Sequence, residues 1–321
     1  MMHSACKAIA IAWFVACAFC SAVGIAMAAP PSVRGIAVLY PDIGEPYRGV
    51  FTKIIEGVEE QTRGRVLSLA VGNNASSQDV AGELRQQDVR VIIALGRNGL
   101  KLANTLGGLP VIAGGVISVP EADARNIAVF SLAPDPALLF ARLQTIMPSA
   151  RRVFVVYDPR QNAWLLRLAR DAAAARGIEL VAYEAGDLKT ALRLYHDILG
   201  AMDSRKDALW LPQDSTTVDE TSVLPLVLQE SWSRSLAVFS SSVVHVRRGA
   251  LFSLYPDNMQ IGRSLGSAAQ QQLASNGGTP ARGTTTPLKS VLIAVNVRTA
   301  NHLGLNLSAP QQNFDLVFPE P

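Results

Sequence analysis

The chain has 321 residues, of which 49% are hydrophobic and 17% charged, with a net charge of +3. This composition belongs to a globular chain with ample core rather than a disordered one, and the length allows one large domain or two of medium size. The small net charge, the sparse aromatics and the lack of a dense Lys/Arg stripe argue against nucleic acid as a partner.

The first segment reads as a targeting signal. Lys7 precedes an apolar run from Ala8 to Ala22, and Ala26-Met27-Ala28 supplies small residues for a peptidase. This predicts a signal peptide over residues 1–28, cut after Ala28, and a periplasmic protein. The run, about 15 residues, falls short of the ~20 that a spanning helix needs. Phe19 before Cys20 is bulky where a lipoprotein site needs a small residue. All three cysteines, Cys6, Cys17 and Cys20, lie in this segment, so the expected mature chain has no disulfide and no thiolate chemistry.

From residue 34 onward apolar strands alternate with amphipathic helices. Strands are predicted at 35–40, 66–71, 89–95, 111–117 and 127–132, with helices over about 46–60, from 76, and over 98–106. "APDP", residues 133–136, breaks the series before a helix ending at Met147-Pro148. The pattern then restarts, with strands at 152–157, 180–184, 208–211 and 236–239. Its helices are expected at 161–176, 187–202 and 218–234, the last kinked near Pro225. The tail adds a strand at 250–254, a helix at 257–274, a polar loop at 275–287, a strand at 291–295 and a short helix at 298–303. Strands that are apolar throughout indicate parallel sheets covered on both faces, hence an α/β fold. Two series of similar size suggest two similar lobes joined near residue 131.

Open parallel sheets bind ligands beyond the carboxyl ends of their strands. In the first series those ends carry Tyr40, Asp42, Arg97, Asn98 and Gly114. In the second they carry Tyr157, Asn162, Asp214, Ser215, Thr216, Ser240 and Ser241. Any single Ser, Thr, Asn or Asp here is more often a helix cap than a contact. Arg97 could grip a carboxylate with both prongs of its guanidinium, and Tyr40 and Tyr157 could stack on a flat ligand. Asp219-Glu220 reads as first-turn acid favouring the helix dipole.

Catalytic patterns fail. Gly262-Arg263-Ser264-Leu265-Gly266 fits G-x-S-x-G, but a nucleophile elbow needs a strand directly before it, and Asp257–Gln260 reads as a helix start. His196, His245 and His302 lack a second ligand at metal-binding spacing. No P-loop or dinucleotide fingerprint follows a strand. The chain is therefore expected to bind rather than react, with no catalytic residue, cofactor or metal.

Three stretches carry a resemblance: "ALWLPQDSTTVDE" at 208–220, the block with Arg248-Gly249-Ala250-Leu251, Tyr255 and Gly262-Arg263, and the tail with Asn296, Ala300, Leu303 and Gly304. Together they resemble the substrate-binding proteins of ABC transporters, the type I periplasmic binding proteins that include aromatic-amino-acid binders. The resemblance implies two Rossmann-like lobes around a hinged cleft. It implies a small ligand such as an amino acid, a membrane permease of an ABC transporter as partner, and a monomer. It implies three crossings, near 131, 243 and 285, giving lobe 1 as 29–130 plus 244–285 and lobe 2 as 131–243 plus 286–321. Asp214, Ser215 and Thr216 would line the second lobe's wall, and Asn162 would match a Tyr-x-Pro…Asn-Ser loop. Here that loop is one residue shorter and carries Ala163 in place of Ser, and Arg97-Asn98 replaces a small Thr/Ser-Pro pair. A sensor or adaptor signalling to a membrane receptor or kinase is the alternative, and a serine hydrolase the remote one.

Overall fold

The structure, a computed structural model, describes residues 35–45, 47–72, 75–120, 124, 127–275, 283–307 and 313–319; the expected signal peptide at 1–28 lies outside them. The first sheet holds β1 (Ile36–Pro41), β2 (Val66–Val71), β3 (Val91–Leu95), β4 (Val111–Val116), β5 (Ala128–Pro134) and β11 (Thr285–Leu288), in the order β11-β5-β4-β3-β1-β2. The second holds β6 (Arg152–Tyr157), β7 (Glu179–Glu184), β8 (Asp207–Leu211), β9 (Ala237–Ser240), β10 (Phe252–Pro256), β12 (Val291–Asn296) and β13 (Leu316–Phe318), in the order β13-β12-β10-β9-β8-β6-β7. All pairs are parallel except β10 with β12. Each lobe winds identically, its second strand on one side of the first and its third to fifth on the other. The winding therefore reverses between β1 and β3, and again between β6 and β8, which are the places where a doubly wound sheet opens a crevice.

The apolar strands work as their sequence demands. Ile36, Val38, Ile93 and Ile112 face one side of the first sheet, and Ala37, Leu39, Ile92 and Ala113 face the other. In β8, Ala208 and Trp210 enter one cluster and Leu209 and Leu211 the opposite one. Side chains alternate across a strand, so each layer of helices needs its own apolar set. Trp210 is fully buried and meets Phe140 edge-on, with centroids 5.8 Å apart.

Helices α1 (Tyr47–Thr62), α2 (Ser77–Gln86) and α3 (Gly96–Leu106) follow strands of the first sheet. Helices α4 (Pro136–Ile146), α5 (Pro159–Ala175), α6 (Leu188–Ala201), α7 (Val223–Ser233), α8 (Val243–Arg248) and α10 (Val297–His302) serve the second. Asp135, Asp158 and Asp187 cap α4, α5 and α6, each side chain accepting a first-turn N–H. Helix α9 (Asn258–Ala274) leaves the second sheet and packs along α1. Its glycines explain the apparent elbow. A Cβ on Gly262 would lie 2.0 Å from the Ile54 carbonyl, and one on Gly57 would lie 2.1 Å from that of Met259. The two backbones touch. Ser264 sits in mid-helix, donating to the Gln260 carbonyl at 2.9 Å.

Several boundaries differ from the sequence expectation. Residues 131–134 remain in β5 of the first sheet, and the chain crosses at the Asp135 cap. Residues 244–256 belong with the second sheet, not the first lobe: β10 pairs with β9 and β12, and Phe252 stacks on Phe239 at 5.1 Å. That crossing falls at Pro256-Asp257, where Asp257 caps α9. Part of the polar loop expected at 275–287 forms β11 instead, an edge strand whose register shifts around Pro287; an edge is where a sheet tolerates proline. The helix expected from 218 begins only at Val223. Asp219 holds the preceding turn by accepting the N–H groups of Thr221 and Ser222, at 3.1 and 2.6 Å, so it is not a first-turn acid. Helix α8 and strand β13 carry too short a pattern to announce themselves.

Candidate ligand-binding site

The polar turns after β6 and β8 form one network. Asp214, 4% exposed, accepts four hydrogen bonds. One oxygen takes the Asp158 N–H at 2.7 Å and the Asn162 side-chain amide at 2.9 Å. The other takes the N–H groups of Thr216 and Thr217, both at 3.0 Å. A carboxylate has about four acceptor sites, so Asp214 is saturated. Asp158 is equally occupied. It accepts Arg160 through the backbone N–H at 2.9 Å and the guanidinium at 2.6–3.1 Å, and the Thr216 hydroxyl at 2.9 Å. The Arg160 guanidinium first, and these hydrogen bonds after it, hold the Asp158 carboxyl far below the usual carboxylate range. Asp214, Asn162 and Thr216 thus come together, and the structure uses them to brace the turn. Ser215 is exposed beside them, 3.4 Å from the Gln161 side-chain oxygen.

Other expected contacts are enclosed. Tyr157 is 2% exposed and donates to Glu184 at 2.8 Å; burial and that carboxylate push its hydroxyl pKa up. Ser241 accepts the Trp210 indole N–H at 3.1 Å. Ser240, fully buried, lies 2.7 Å from His245 Nδ1 and 3.1 Å from the Leu211 carbonyl. This pair has no route to a substrate. Burial, then Arg248, lowers the His245 pKa to about 4. Gly114 faces Leu265 of α9, whose Cδ1 would lie 2.7 Å from an added Cβ, so it serves packing.

At the carboxyl edge of the first sheet, Asp42 and Arg97 are exposed and Tyr40 and Asn98 half-buried. Two exposed apolar side chains share that edge, Tyr47 at 65% and Ile117 at 40%. Ile117 directly follows β4, and Tyr47 opens α1 after the turn that leaves β1.

A cavity of about 720 Å³ lies between the lobes. Val119, Pro120 and Thr285 of the first lobe wall one side, and Arg160, Gln161, Trp164 and Arg167 of α5 wall the other. None of the expected site residues lines it. Its α5 face has helical spacing, i, i+4 and i+7 for Arg160, Trp164 and Arg167, opposite the buried Leu165, Leu166 and Ala169. That spacing was the available signal. Among the described residues no group of three or more His, Cys, Asp or Glu could hold a metal ion.

Two doubly wound lobes with a cavity between them define the type I periplasmic binding protein fold. The chain belongs to the ABC transporter substrate binding protein family, which it matches over residues 56–310. Solved structures agree in fold. A ligand-free, open substrate binding protein with adhesive properties from Clostridium difficile is similar at a TM-score of 0.61 and 16% identity, covering 87% of this chain and 98% of that one. An ABC domain in complex with L-Trp from Streptococcus pneumonia is similar at 0.54 and 15%, covering 88% and 99%. A conserved domain protein from Vibrio cholerae gives 0.52 and 16%, covering 88% and 99%. No curated protein matches the chain.

Proposed function

We propose that the protein is a periplasmic solute-binding protein that captures a small molecule between its lobes and delivers it to the permease of an ABC importer. The observation that carries this reading is the interlobe cavity, walled by residues of both lobes. A solute held there ties the lobes together, so binding favours a closed state, as hinged two-lobe proteins do. Asp42, Arg97 and Asn98 follow β1 and β3 beside one winding reversal, and Ser215 follows β8 beside the other; on this reading closure adds them to the contact set. Tyr47 joins them as an aromatic wall. The family supports a binder rather than an enzyme, and Ser264, bonded within its own helix, offers no hydrolase elbow. Among the described residues no helix is long and apolar enough to cross a membrane; the periplasmic address rests on the segment before Ala29.

Thermal unfolding against amino acids, purines, sugars and carboxylic acids tests the reading, with small-angle scattering on each hit. A ligand at 100 times its Kd stabilises by about 2.7 kcal/mol, and closure lowers the radius of gyration. A folded protein that no solute stabilises refutes it.

A further inference from the structure

We propose that the solute is a small organic carboxylate without an ammonium group, held by the Arg167 and Trp164 face of α5. This rests on the solute-binding reading above and names the chemical class of its ligand.

The cavity offers donors and lacks described acids. Arg160 and Arg167 line it, and no described carboxylate does. Arg160 is committed to Asp158 and to the Gly186 carbonyl, the latter at 2.9 Å. Arg167 makes no hydrogen bond or ion pair among the described residues, so its planar fork is free to meet a carboxylate. Trp164 lies one turn away on the same face, and its buried indole N–H has no acceptor. An indole nitrogen can only donate, and buried donors are ordinarily paired. A ligand oxygen between Trp164 and Arg167 would satisfy both once the indole turns its N–H, now closed to solvent, toward the cavity. Val119 and Pro120 opposite supply an apolar wall for the rest of the molecule.

An α-amino acid would also need an acceptor for its ammonium. The described acids beside the cavity, Asp158 and Asp214, are filled by the chain's own donors. Binding an ammonium there would break the brace that shapes the turn. The neighbouring Thr216 hydroxyl is engaged as well, accepting from the Gln161 amide and donating to Asp158, both at 2.9 Å. The same geometry disfavours a neutral sugar, which would leave the Arg167 charge unmatched.

Isothermal titration of the purified protein with succinate, benzoate, inorganic phosphate, L-tryptophan, L-alanine and ribose tests this. The expected result is binding by at least one of the two carboxylates. Arg167→Gln should then weaken it tenfold or more, Arg167→Lys should restore part of the loss, and Trp164→Phe, which keeps the ring but removes the N–H, should weaken it severalfold. The ligand-free unfolding midpoint of Arg167→Gln should stay at the wild-type value, since the side chain has no internal partner. Binding of tryptophan, alanine or ribose with both carboxylates silent overturns the assignment and leaves solute binding intact. So does binding of phosphate alone, or a carboxylate whose Kd Arg167→Gln and Trp164→Phe both leave unchanged. Silence from every probe here and from the wider thermal panel refutes both readings.

Discussion

Replacing Gly57 or Gly262 by alanine should destabilise the protein even though alanine favours a helix. The added Cβ would lie 2.1 Å from the Met259 carbonyl in the first case and 2.0 Å from that of Ile54 in the second. Unbonded heavy atoms prefer about 3.5–4.0 Å, so α1 and α9 must separate by about 1.5 Å. The obstruction is backbone, and no rotamer change relieves it. Overpacking costs about 1–3 kcal/mol, against up to about 1 kcal/mol gained in helix propensity. The upper end applies, leaving a net loss of about 2 kcal/mol. At about 2–4 °C per kcal/mol, the unfolding midpoint should fall by roughly 5 °C. Gly82 in α2 is the control, because an added Cβ there meets nothing within 4 Å; Gly82→Ala should melt no lower than wild type. The double variant should cost less than the sum of the two, since one separation of the helices serves both methyl groups. Wild-type midpoints for both Gly57→Ala and Gly262→Ala would refute the close backbone contact.

His245 should make the protein acid-sensitive. Its folded pKa is lowered to about 4 from 6.5, so the unfolded chain takes the proton first. Stability is complete above about pH 6.5 and falls toward pH 4 by about 3 kcal/mol, and urea unfolding at several pH values should show His245→Gln losing that slope. Asp214→Asn sets an NH2 group against donors that the carboxylate now accepts, and should cost about 2–3 kcal/mol in urea unfolding. Ser264→Ala removes only a hydroxyl bonded to its own helix, and should change stability by less than about 0.5 kcal/mol and leave ligand affinity unaltered.

Strand and helix order was legible because parallel strands need apolar side chains on both faces, which makes runs such as Val91–Leu95 stand out. Caps such as Asp187 and Asp257 fixed helix starts for a local reason, whereas the helix expected from 161 begins at Pro159, behind the Asp158 cap. The crossings were not legible. Nothing near Phe252 says whether its ring stacks on Phe239 in one lobe or joins the other, since apolar pattern names a face and not a partner. At the site, the strand-end rule located the Asp214 turn but could not reveal that four donors fill its carboxylate. Trp164 and Arg167 lie outside its reach, because they sit one to two turns into a helix rather than at a strand end.

The α9 crossing has a further consequence for the order of synthesis. When a growing chain has reached Pro256, all five principal strands of the first lobe exist, yet α9 and β11 do not. The Gly57 face of α1 is then bare, Leu265 has not covered Gly114, and β5 presents an open edge. Neither lobe is a continuous stretch, so neither can close during translation until the chain is nearly complete.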